Sequence, residues 1–214
     1  MNERVATMNE SRRLIYVPIL HAQEDAGRTD SILTNKKIRR RRIEKQVSAV
    51  EEMWKGIAAK IGELNIPWDK TRIYQDGVPV CGNEVALARR LADSGSPNFS
   101  FICNAIQEGA ALEGTEDMDL LIQEYDLLNK LLMSNAGVDQ AASNTEYQAK
   151  SRALLILRDQ FILNRITGTL QPGELPMVFM GVMHRLDKML ENDFSVSYVI
   201  YRLPFRSIGT IYNA

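Results

Sequence analysis

Apolar residues along this chain fall into two patterns. Short dense blocks, "RLIYVPIL" at 13–20, "TRIYQD" at 71–76, "MVFMGV" at 177–182 and "FSVSYVIYRL" at 194–203, are rich in β-branched and aromatic residues and too short for ordinary helices, so they read as strands. Between them, apolar residues recur every three or four positions. Ile38, Val47, Val50, Trp54, Ile57, Ile61 and Leu64 mark a long amphipathic helix, with Thr34 or Asn35 available to cap it. Residues 83–95, 96–110 and 115–132 repeat the helical spacing behind N-terminal caps or acidic first turns, with a short strand at "ALEG", 111–114. Residues 149–170 form a further helix of five to six turns, broken by "QPGELP".

Strand, long crossover and strand make a β-α-β unit, whose strands are normally parallel and whose connection is normally right-handed. The expected architecture is therefore a single α/β domain over residues 1–214. Its mainly parallel sheet is built from N- and C-terminal β-α units, with 83–133 as a helical, insertion-like segment. Residues 134–148, "SNAGVDQAASNTEYQ", are small and polar and read as a loop. Residues 184–192, "HRLDKMLEN", read as a short helix or loop, and the tail 204–214 shows no interpretable pattern.

Composition narrows the picture. Lys and Arg number 26 and Asp and Glu 27, so net charge does not draw the molecule to nucleic acid or to an acidic membrane. Two cysteines, Cys81 and Cys103, make neither a C-x-x-C pair nor a disulfide scaffold. The N-terminus lacks a signal-peptide core and no apolar run is long enough to span a bilayer, so the expected location is the cytoplasm. Neither G-x-G-x-x-G nor G-x-x-x-x-G-K occurs, which disfavours a P-loop.

The chain has two histidines, and each directly follows an apolar block: His21 the first strand, His184 the fourth. Ligands of open α/β sheets bind at the carboxyl ends of the strands, so the two would face a common cleft. Imidazole there serves as a metal ligand or general base. Asp76 ends the second strand on the same edge. Glu24 and Asp25 lie on the His21 loop, Asp187 follows His184 by three residues, and Glu113, Glu116 and Asp117 fall in "ALEGTED". His21, His184 and Asp76 are accordingly the expected ligands of a divalent Mn, Zn, Co or Fe ion that activates water. Glu24 or Asp187 would carry protons, and Arg158 would stabilise developing negative charge. The plainer alternatives are histidines bonded only to backbone and an Arg158 ion-paired with Asp159 or another nearby acid.

"LILRDQFILNRITGTLQPGELPMVFMGVMHRLDKML" resembles the C-terminal signature of the TraB/GumN/TIKI superfamily, in which a helix carries Arg followed by Asn or Asp and a strand ends in G-x-x-H; here these are Arg158, Asp159, Gly181 and His184. "IYVPILHAQED" is similar to its opening strand and histidine, with Pro18 where glycine is usual, and Asp76 stands where glutamate is more common. The match covers about the first 80 and last 60 residues in pattern, leaving the helical middle outside it. The resemblance implies an erythromycin-esterase-like fold and, for some members, metal-dependent proteolysis. The expected substrate is a small molecule or peptide with an ester, amide or phosphoester.

From Arg28 to Lys45, eight basic residues stand against two acidic ones. Arg39, Arg40, Arg41 and Arg42 would border the cleft and grip an anionic substrate, a phosphate or an RNA backbone, unless they form only a solvated helix face. A non-catalytic regulatory protein holding an anionic partner there is the second functional expectation. Residues 108–146 carry nine acidic residues and one lysine. They would offset the basic segment within one chain or between subunits of a homo-oligomer.

Overall fold

The structure is a computed structural model that describes residues 12–19, 36–134, 140–190 and 194–202, without the side chains of 36–48 and 131–144. Five parallel strands form one sheet: β1 (Arg12–Ile19), β2 (Thr71–Gln75), β3 (Ala111–Glu113), β4 (Leu175–Gly181) and β5 (Phe194–Tyr198), in the order β3-β2-β4-β1-β5. Helices α1 (Lys36–Gly62), α2 (Glu84–Asp93), α3 (Pro97–Gln107), α4 (Met118–Ser134), α5 (Gln140–Thr169) and α6 (Leu186–Leu190) connect them. The α/β class and the parallel sheet are as the sequence pattern implies. The middle of the chain is woven into that sheet, since β3 pairs with β2.

Parallel strands covered on both faces are apolar at nearly every position, which explains the dense runs. Alternate residues divide between two cores. Ile15, Val17, Ile19, Ile73, Met177 and Phe179 pack against Met53, Trp54, Ile57 and Ile61 of α1 and against Phe99 and Ile102 of α3. Leu14, Tyr16, Tyr74, Val178 and Met180 pack on the other face against Ile162, Ile166 and Leu170, with Leu186 and Leu190 of α6. The chain therefore leaves β2 toward one face and β4 toward the other. A crevice opens between such neighbours at their carboxyl ends.

Pro18 sits inside β1 without breaking the sheet. Tyr16 O accepts from Val199 N on the β5 side, and residue 18, of the same parity, faces that side after the β5 ladder has ended at Tyr16 and Tyr198. Its missing N–H is not needed there.

Two boundaries differ from the sequence reading. The segment 134–148 is not a loop throughout, because α5 already begins at Gln140. Alanine, glutamine and glutamate sustain that helix, while their polarity removes the periodicity that reports one. β5 stops at Tyr198, well short of residue 203.

α5 runs 30 residues, ~45 Å at the helical rise. Among its described side chains the deeply buried ones begin only at Arg158, where α5 meets the carboxyl edge of the sheet. Among the described residues, no helix is long and apolar enough to cross a membrane.

Ile162 is fully buried where α5 meets the sheet. Ile162→Ala should destabilise the protein by about 3 kcal/mol in equilibrium urea unfolding. A loss below about 1 kcal/mol would show that α5 does not hold this face of the sheet.

Candidate active site

The carboxyl ends of β2 and β4 gather a buried group of charged side chains. Asp76 follows β2 directly, and Gly77, at φ +80°, turns the chain away in a conformation that glycine adopts without strain. The β3–α4 loop is drawn in beside it by Thr115, whose hydroxyl donates to Gln75 O at 2.6 Å and whose N–H donates to Val78 O at 2.8 Å. Gly114 permits this approach, because a Cβ there would stand 2.7 Å from the Val80 Cα. Glu116 is thereby fully buried next to Asp76.

Arg158, on the first deeply buried turn of α5, joins the two acids. Its Nε donates to Glu116 Oε2 at 3.0 Å and its Nη2 to Glu116 Oε1 at 2.7 Å and Asp76 Oδ1 at 2.9 Å. Its Nη1 reaches Glu124 of α4 at 2.6 Å. The ion pair anticipated for this arginine exists, with Asp76, Glu116 and Glu124 as its partners. Asp159 turns instead to His184, with Oδ1 at 2.6 Å from Nδ1, while its Oδ2 accepts from Arg185 N at 3.1 Å. The other ring nitrogen, Nε2, faces Asp76 Oδ2 at 3.4 Å, and that oxygen also accepts from Gly181 N at 2.9 Å.

Four carboxylates, those of Asp76, Glu116, Glu124 and Asp159, thus meet one guanidinium and one imidazole. Burial opposes a charged His184, but its hydrogen bonds to Asp159 and Asp76 prevail and push its pKa up to about 9. Burial pushes Glu116 up against the two bonds from Arg158. Burial would lower Arg158, yet its bonds to Glu116 and the charges around it hold it above its ordinary value. Tyr16, beneath the cluster, is raised by burial and then by Asp187, Asp159 and Asp76.

Asp76, Glu116 and His184 each offer a ligand atom, and the three atoms lie within 4.8 Å of one another, close enough to hold a metal ion. Two of these residues, Asp76 and His184, are ones that sequence reasoning singled out. Glu116 was only one of several acids nearby, and nothing in the linear pattern of "ALEGTED" sets it apart from its neighbours. Glu113 pairs with Arg72 and Arg165, and Asp117 caps α4 by accepting from Asp119 N and Leu120 N at 2.9 and 3.0 Å. Asp187 stands apart on α6, where it accepts from the Tyr198 hydroxyl at 3.0 Å. His21, Glu24 and Asp25 lie outside the described residues, as do the side chains of Arg39, Arg40, Arg41 and Arg42. Compared with protein-family models, curated proteins and solved structures, the chain matches none.

Removing the guanidinium leaves two buried carboxylates facing each other. Arg158→Met should cost about 3 to 5 kcal/mol at neutral pH in urea unfolding. A cost under about 1 kcal/mol would mean that water reaches the acids.

His184 gives a pH signature. Its pKa is raised in the folded protein from 6.5 to about 9, so its contribution is fully present below the ordinary value and disappears as pH rises through about 9. The stability gap between the metal-free protein and His184→Asn should narrow by about 3 kcal/mol between about pH 6 and about pH 9.5. A gap that widens over this range would reverse the assignment of the charged form.

Proposed function

We propose that the chain is a metal-dependent hydrolase whose centre is the cluster at the carboxyl ends of β2 and β4. One observation carries the reading: the ligand atoms of Asp76, Glu116 and His184 converge within 4.8 Å while Asp159 holds the far ring nitrogen of His184. A carboxylate behind the imidazole is the usual support of a metal-ligating histidine, because it fixes the tautomer and raises the basicity of the ligating nitrogen. Four acids against one arginine also leave negative charge that a divalent cation would offset. The resemblance of the Arg158, Asp159, Gly181 and His184 pattern to the TraB/GumN/TIKI superfamily points the same way.

A bound Mn, Zn, Co or Fe ion would supply a water made nucleophilic at neutral pH. The protein groups prepare its surroundings. Arg158 orients Asp76 and Glu116, the Gly181 N–H fixes the second oxygen of Asp76, and Asp159 sets the His184 ring. Ligation requires neutral imidazole, so ion uptake and protonation of His184 exclude one another. Asp187 and Glu24 are the proposed proton carriers, and His21 the proposed additional ligand. The reaction is hydrolysis of an ester, amide or phosphoester. Two free cysteines suit the cytoplasm as the proposed location.

A purely structural charge network is the competing reading, favoured by the contact of Arg158 with both central acids. Metal uptake separates the two. Chelator-stripped protein titrated with each of the four ions, followed by calorimetry and elemental analysis, should bind one ion per chain and gain ester, amide or phosphoester hydrolysis only with it. Asp76→Asn, Glu116→Gln and His184→Asn should each abolish uptake with helical circular dichroism retained, and Asp187→Asn should keep it. Wild-type protein that takes up no ion at millimolar concentration would establish the structural reading.

A further inference from the structure

A cavity of about 280 Å³ opens between α2 and α3, lined by Arg89, Ala92 and Asp93 of the first helix and by Cys103, Ile106 and Gln107 of the second. None of these residues belongs to the charged cluster of α5 and the strand ends. The floor of the cavity is apolar and fixed, because Ala92, Cys103 and Ile106 are half-buried and pack on the core shared with α1. Its rim is polar: Arg89, Asp93 and Gln107 are exposed. Apolar contact with a few polar groups to orient is the usual make-up of a small-molecule site.

The two rim charges are opposite in sign and four residues apart on α2, a spacing that puts Cβ atoms ~6 Å from each other. They do not pair. Among the described residues neither Arg89 nor Asp93 has a hydrogen-bond or ion-pair partner, and the Gln107 amide has none either. Arginine ahead of the acid is the less favourable order for a helical pair, which leaves both groups available. Asp93 also ends α2, where the negative end of the helix dipole favours a cation over a carboxylate. Burial pushes the Cys103 thiol up, Arg89 acts to lower it and Asp93 to raise it, so both charges lie within electrostatic reach of the same sulfur.

A plain anion at Arg89 would meet Asp93, and a plain cation at Asp93 would meet Arg89. A ligand carrying both charges on one carbon satisfies both, and at about 280 Å³ the cavity lies below the ~300–1,000 Å³ of pockets for drug-sized ligands. We propose that it binds a free α-amino acid with an apolar side chain, the carboxylate on Arg89, the ammonium on Asp93 and the side chain over Ala92, Cys103 and Ile106. The Gln107 amide completes the polar rim. This site is independent of the hydrolytic reading of the β2–β4 cluster and stands or falls apart from it.

Cys103 reports occupancy, because the chain has one other cysteine, Cys81, which is exposed outside the cavity. In Cys81→Ser protein, L-leucine should slow alkylation of Cys103 by iodoacetamide saturably, by about tenfold at ten times its half-protecting concentration. Glycine, without the apolar contact, should need a higher concentration than leucine. Leucine methyl ester and N-acetyl-leucine each lack one charge, and each should need about tenfold more than leucine. Arg89→Met and Asp93→Asn, at exposed positions that leave the fold intact, should each raise the half-protecting concentration of leucine about tenfold. No protection by leucine at high millimolar concentration would overturn the site. Equal protection by either blocked derivative, or an unaltered half-protecting concentration in either variant, would overturn recognition of the paired charges, and glycine matching leucine would overturn the apolar floor as a specificity element.

Discussion

A guanidinium buried among carboxylates sets the terms for the rest of this molecule. Arg158 lies where three separate parts of the chain meet: the end of β2 with Asp76, the approach to α4 with Glu116, and α4 itself with Glu124. Asp76 and Glu116 are not stable in a dry interior without a cation, and Arg158 is not stable there without them, while Glu124 reaches it from the solvent side. That mutual need fixes the position of α5 along the sheet. With Arg158 placed, Asp159 one residue later faces the exit of β4, and the His184 ring finds its partner.

The cluster is pre-organised as a result. Both oxygens of Asp76, both of Glu116 and both of Asp159 have a donor or ring partner from another element or turn, so a ligand would meet groups already aimed. Charges fixed in a buried site act more strongly than the same charges in water and need not reorganise when chemistry begins.

Much of the fold was legible because burial on both faces of a parallel sheet leaves a dense apolar signature, as in residues 14–19 and 177–181. The start of α5 was not, since Gln140 to Gln148 carry helix-favouring residues without an apolar stripe. In the site, Asp76 and His184 could be read because each ends a strand, and position along a strand survives in one dimension. Glu116 could not. Its place depends on Gly114 and Thr115 folding a loop against Val78 and Val80, a contact between segments nearly forty residues apart that no local periodicity records. Arg158 was visible, but its choice of Asp76 and Glu116 over the adjacent Asp159 is a matter of helix facing and tertiary distance.

The strand order carries a consequence for how the protein is made. β4, residues 175–181, lies between β2 and β1, yet it emerges from the ribosome after both. At ordinary elongation rates the nascent chain exists for roughly ten seconds with β1 and β2 synthesised and the slot between them unfilled. Until β4 is made, the N–H and C=O groups through which β1 and β2 bond to it lack that partner, and unpaired strand edges of this kind are where a strand from another chain can add. Asp76 and Arg158, 82 residues apart, cannot close on each other in a continuous sheet until then. The chain thus waits on its last third for the keystone of its sheet, and nascent-chain holding factors would matter most to it just before residue 181 appears.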